Sequence, residues 1–100
     1  MATLEDQVRA AVQAALIYPP AARMMGQAGK AEVGFSYIDG VVSDAAITHS
    51  SGYPQLDRGA LQTVAITQYP PPPALLAHHK MHMTVWVEFH QQQVMDPNAE

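Results

Sequence analysis

Apolar positions recur at helical spacing near the start of the chain. Leu4, Val8, Val12 and Ala15/Leu16 share one face of a predicted helix. Thr3, with Asp6 three positions on, resembles a helix-opening cap. The helix should end near Ile17, because the residue before a proline avoids helical angles. Pro19 and Pro20 suit the first turn of a new helix, where a missing N–H costs nothing. That short helix is predicted over Ala21 to Met25, closing at Gly26 or Gly29, with its methionines packed into a core.

From Lys30 the period changes to two. Val33, Phe35 and Tyr37 alternate with Glu32, Gly34 and Ser36, the pattern of a half-buried strand. Asp39-Gly40 is a two-residue hairpin signal. The return strand is expected from Val41 to about Ser50, with Ala45 and Ile47 facing the same way and a bulge near Ser43–Asp44. "SSGYPQLD" is a loop by composition. Leu56, Ala60, Leu61, Val64 and Ala65 then mark a second amphipathic helix, with Asp57 suited to the dipole of its first turn. It must stop before Tyr69, since Pro70 to Pro73 cannot continue it. Those prolines are read as an extended, stiff connector. The cleanest alternation comes last. Met81, Met83, Val85, Val87 and Phe89 lie on one face, and His82, Thr84, Trp86, Glu88 and His90 on the other.

The predicted order is α-β-β-α-β. Three antiparallel strands with one apolar face need cover, and the two longer helices supply it, giving an α+β fold with a short extra helix after Tyr18-Pro19. The uncovered face would carry Trp86 among polar neighbours. One hundred residues make one domain, with its core at about residues 8–90 and frayed ends, including a polar tail from Gln91 to Glu100.

Composition removes several functions. Charged residues are only 14% and the net charge is −4, so nothing resembles a footprint for nucleic-acid phosphates or an anionic membrane surface. With no cysteine, disulfides and thiolate zinc sites are excluded. The compartment stays open on that count. No apolar run approaches the roughly 20 residues of a membrane span, and no signal peptide is visible. A domain working outside the cytoplasm would therefore be a fragment of a longer protein.

The ordered set Tyr18-Pro19, Gly26, Gly29 to Val33 with Phe35, Asp39-Gly40-Val42, Ser50-Ser51-Gly52, Leu56-Asp57, Ala60-Leu61 and Tyr69-Pro70 resembles the C-terminal domain of the TonB energy transducers. The resemblance covers roughly Val8 to His90. It implies a periplasmic domain that grips the TonB box, a short peptide of an outer-membrane receptor. It also implies an inner-membrane anchor and a proline-rich linker outside this chain. The ExbB–ExbD complex would deliver proton-motive energy for uptake of iron chelates, haem or cobalamin. No cofactor and no catalysis are implied. The glutamine and proline that the family often sets ahead of its first Tyr-Pro are replaced here by Ala15, Leu16 and Ile17, and the aromatic two places before the second is Thr67. Receptor specificity is expected to differ accordingly.

An open strand edge templates another strand, so the Met81–His90 strand, last in the chain, is the candidate docking edge. The expected peptide-binding set is Tyr18 and Pro19 as one wall, with Met83, Thr84, Val85, Trp86 and Val87 as the strand. Tyr18 has a second reading, as a plug between helix and sheet. Trp86 is either a partner contact or a cross-strand neighbour of Ile38 or Ile47.

Rival readings use other residues. "HHKMHM" gathers His78, His79, Met81, His82 and Met83, whose imidazoles and thioethers suit copper. On a strand, however, His82 points away from both methionines. His49, Ser50, Ser51, Asp44 and Asp57 form a triad only on paper. A periplasmic interaction domain like that of TolA shares a similar fold. A strand-swapped homodimer is compatible with the last strand and its proline hinge.

Overall fold

The computed structural model describes residues 3–90. Helix α1 spans Leu4–Ala14 and opens on a complete capping box: the Asp6 N–H donates to the Thr3 hydroxyl, and the Asp6 carboxylate faces the Thr3 N–H. Its buried stripe is Leu4, Val8 and Val12. It ends at Ala14, one turn before the predicted stop, so Leu16 and Ile17 lie in the linking segment.

Helix α2, Pro20–Met24, has Pro19 as N-cap and Pro20 at its first position. Gly26, at φ +73°, closes it. The Gln27 N–H donates to Ala22 C=O and the Gly26 N–H to Arg23 C=O, the paired bonds of a glycine-terminated Schellman stop. The methionines are not core, contrary to expectation. Met24 is 87% exposed and Met25 69%, while Ala22 is fully buried. With only five residues in the helix, one small side chain fills the inward position and the longer ones are left outside.

Strands β1 (Gly29–Ile38), β2 (Val41–His49) and β3 (Met81–Phe89) form one antiparallel sheet in the order β2-β1-β3. Asp39 and Gly40 both take positive φ, 52° and 85°, as a two-residue hairpin turn requires. The predicted bulge is present. Asp44 sits at φ 57°, and the β1–β2 register slips between Gly34 and Ser36, with a second slip between Glu32 and Val33. Ala45 is consequently exposed, while Val42 and Ile47 pack toward the core. The β1–β3 ladder has no such break and runs through nine consecutive pairs, from Gly29 opposite Phe89 to Tyr37 opposite Met81.

Helix α3, Pro54–Ile66, stops before the prolines as expected. Its buried face is Leu56, Gly59, Ala60, Thr63 and Val64; Ala65, predicted inward, is exposed. Asp57 accepts hydrogen bonds from the Ser50 hydroxyl (2.5 Å), the Ser51 hydroxyl (2.7 Å) and the Ser51 N–H (2.8 Å), which ties the loop after β2 to the first turns of α3. Two tyrosines fix the start of the proline connector. Tyr69 donates to Val64 C=O and Tyr37 to Pro70 C=O, each at 2.6 Å. Burial pushes the Tyr69 phenol up to about 12. A single 3₁₀ turn, Ala74–Leu76, follows the prolines, a feature absent from the sequence reading.

The core lies between the sheet and the helices. Ala31, Val33, Phe35 and Tyr37 of β1 and Met83, Val85, Val87 and Phe89 of β3 face α1 and α3. The fold is the predicted α+β arrangement in the order α-β-β-α-β, with the short extra helix after Tyr18-Pro19. The polar tail beyond His90 lies outside the described residues.

Candidate functional site

Strand β3 has one neighbour, β1, and among the described residues no strand lies on its other side. Which backbone groups face that open flank follows from one contact. The Gln13 side-chain amide donates to Glu88 C=O at 2.9 Å, and its carbonyl accepts from Glu88 N–H at 3.1 Å. Both backbone groups of Glu88 therefore point away from β1. Alternate residues of a strand repeat that orientation, so Trp86, Thr84 and His82 also aim N–H and C=O outward. Their side chains lie on the uncovered sheet face.

This parity divides the predicted strand set. Thr84 and Trp86 offer backbone groups to the flank. Met83, Val85 and Val87 turn theirs to β1 and bury their side chains in the core.

Tyr18 and Pro19 are placed differently. The Tyr18 ring meets Phe89 edge-on at 5.3 Å between centroids, the Arg23 guanidinium lies 4.5 Å over it, and the hydroxyl donates to Gln27 C=O. Tyr18 is half-buried against the core beneath the end of β3. Pro19 packs on α3 instead: a Cβ added at Gly59 would lie 2.9 Å from the Pro19 ring and 3.0 Å from Ile17 C=O. A mid-helix glycine costs about 0.5–1 kcal/mol, and here it opens the space for that segment. Thr63 completes the anchor. Its buried hydroxyl accepts from the Ile17 N–H (2.9 Å) and donates to Gly59 C=O (2.7 Å). Left unpaired, such a hydroxyl would cost about 1–3 kcal/mol.

Trp86 is half-buried on the open face. It meets His49 at 5.3 Å and carries the Lys30 ammonium 4.7 Å over its ring. The cross-strand neighbours are thus His49 and Lys30 rather than Ile38 or Ile47, because Glu32 of β1 stands opposite both His49 and Trp86. Five of the other polar candidates, His78, His49, Ser50, Ser51 and Asp57, have structural partners. Asp39 accepts from the His78 N–H at 2.8 Å and faces His78 Nδ1 at 2.9 Å, and these bonds hold its carboxyl below the usual range. Among the described residues no three His, Asp or Glu side chains gather as a metal site. Asp57 binds Ser50 and Ser51 while the His49 ring packs at a 60° tilt against Trp86, so these side chains serve packing and a loop.

Gln13 had no signal in the sequence. It flanks the apolar stripe of α1, and its partner lies 75 positions away. Lys30 and His49 were likewise invisible as neighbours of Trp86, because strand order decides who sits beside it.

No helix among the described residues is long and apolar enough to cross a membrane. No curated protein sequence matches the chain. The fold is similar to two solution structures of the Helicobacter pylori TonB C-terminal domain. One has a TM-score of 0.72 at 21% identity, covering 87% of this chain and 79% of that one. The other has 0.69 at 20%, covering 93% and 99%. The Pseudomonas aeruginosa TonB C-terminal domain is similar at 0.60 and 23%, covering 79% and 81%. The family model described as the Gram-negative bacterial TonB protein C-terminal matches residues 4–90. The chain therefore belongs to the TonB C-terminal family, whose members are periplasmic interaction and energy-transduction domains and not enzymes.

Proposed function

We propose that this domain binds the TonB box of an outer-membrane receptor as an added strand along the open flank of β3. Held in a longer protein anchored in the inner membrane, it couples proton-motive energy from an ExbB–ExbD complex to uptake of iron chelates, haem or cobalamin. The observation that supports this most is the unbroken edge strand, with His82, Thr84 and Trp86 turning their backbone groups outward. Each added main-chain bond contributes about 0.5–1.5 kcal/mol net. Micromolar binding requires about 8 kcal/mol. A few bonds therefore need help from side-chain contacts, and Trp86 and Thr84 on the open face are placed to give it. Tyr18 supports the far end of the strand through Phe89. Pairing through backbone tolerates varied ligand sequences, which suits a domain serving more than one receptor.

NMR titration with synthetic box peptides from the host's receptors tests this. Amide shifts should concentrate at His82, Thr84 and Trp86. Tyr18→Ala should weaken peptide binding more than it lowers the melting temperature if Tyr18 belongs to the site, and the reverse ordering would assign it to the core alone. Shifts confined to β2 or α2, with β3 silent, would sink the docking proposal.

A further inference from the structure

We infer that Gln13 is an end stop for the docking strip, an inference that rests on the strand-addition reading and sharpens it. A primary carboxamide carries the same donor and acceptor as a peptide group. Here both are used on a single residue of the edge, at 2.9 and 3.1 Å from Glu88 C=O and N–H. Gln13 thus completes one rung of the sheet from within the chain. An incoming strand that took the Glu88 rung would exchange one amide pair for another and gain almost nothing there. It would also have to expel a side chain held by α1, whose Val8 and Val12 are fixed in the core. The rungs at Trp86, Thr84 and His82 have no such occupant among the described residues.

The strip available to a partner is therefore bounded. It begins near the start of β3 and ends at Trp86, where the open cleft lined by Arg9, Ala10, Gln13, Lys30, Trp86 and Glu88 lets the departing chain leave the sheet plane. The fitting partner is a short extended peptide whose pairing segment covers three outward rungs and then turns away. A long, continuous strand is refused. Gln13 also fixes register, because a partner shifted by two residues toward Phe89 meets a filled position. The remainder of the β3 edge stays open, so the device limits docking without abolishing it.

Amide hydrogen exchange on wild type and Gln13→Ala tests this, first free and then with a receptor-box peptide long enough to pass Glu88. In the free chain, the Glu88 amide should exchange about tenfold more slowly in wild type than in the variant. With peptide, wild type should gain protection at His82, Thr84 and Trp86 and keep the Gln13 side-chain amide resonances in place. In Gln13→Ala the peptide-induced protection should extend to Glu88. The end stop is overturned by equal Glu88 exchange in the two free chains. It is equally overturned by release of the Gln13 amide in wild type on peptide binding, or by protection that halts at Trp86 in both. Peptide that protects none of the three open rungs overturns the docking reading itself, and the end stop with it. A peptide that binds but crosses Glu88 in wild type removes only the end stop.

Discussion

The two edges of this sheet are built differently. The β2 edge slips register twice against β1 and carries a left-handed residue, Asp44, in the middle of its run. The β3 edge is regular over nine pairs and lacks bulges. Bulges and irregular twist are ways of blunting an exposed edge so that it does not recruit other chains. One edge is spoiled for pairing and the other is left straight, with a single rung filled by Gln13. Neither edge is paired with a further strand among the described residues, so exposure does not tell them apart; regularity is the difference.

Proline substitution gives the largest test of that contrast. Thr84 turns its N–H to the open flank and Val85 turns its own to β1. Val85→Pro should cost about 3 kcal/mol or more and unfold much of the domain, whereas Thr84→Pro should keep the fold and lose peptide binding, as read by thermal melts and titration. A Thr84→Pro chain that binds peptide normally would show that the flank is not the site. Next in size is Gly59→Ala. Its methyl would collide with Pro19 and Ile17 C=O, displacing the segment that carries Tyr18 beneath the end of β3. A loss of about 1–3 kcal/mol in denaturant unfolding is expected, despite alanine's better helix propensity.

A smaller effect, of opposite sign, belongs to the other edge. Asp44→Gly removes the cost of a non-glycine residue at φ 57° and should stabilise by roughly 1 kcal/mol, with peptide affinity unchanged. A change in affinity would mean the two edges are coupled. The smallest effect is pH-dependent. Partial burial raises the Asp57 carboxyl, but hydrogen bonds from Ser50 and Ser51 outweigh it and leave it below the ordinary 3.8. A lowered carboxyl contributes stability that is present above the ordinary value and lost as pH falls through the lowered one. Acid should therefore loosen the loop that follows β2, seen as faster amide exchange at Ser51. The Gln13–Glu88 rung, whose two bonds join a side-chain amide to backbone groups, should hold. Asp57→Asn should remove that acid-dependent step.

Much of the regular structure was written locally. The Thr3–Asp6 cap, the Asp39-Gly40 turn, the bulge at Asp44 and the alternation of Met81 to Phe89 each depend on neighbours a few positions apart, and period or turn chemistry reveals them. The site depends on distant neighbours. Nothing in the residues around Gln13 names Glu88, and nothing around Trp86 names His49 or Lys30, because strand order brings them together. Parity was hidden for the same reason. Alternation shows which side chains go inward, but which backbone groups face the open flank depends on which side β1 occupies. The methionines of α2 misled because an apolar side chain on a very short helix has no obligation to be inside.

Those same methionines have a chemical consequence. Met24 and Met25 present their thioethers to water, while Met83 lies 5% exposed under β3. Oxidants reach exposed sulfur first, and a sulfoxide formed on α2 adds polarity to a surface that is already wet. The same lesion at Met83 would put a dipole into the core layer beneath β3. The short helix thus offers expendable sulfur ahead of the buried sulfur of the sheet.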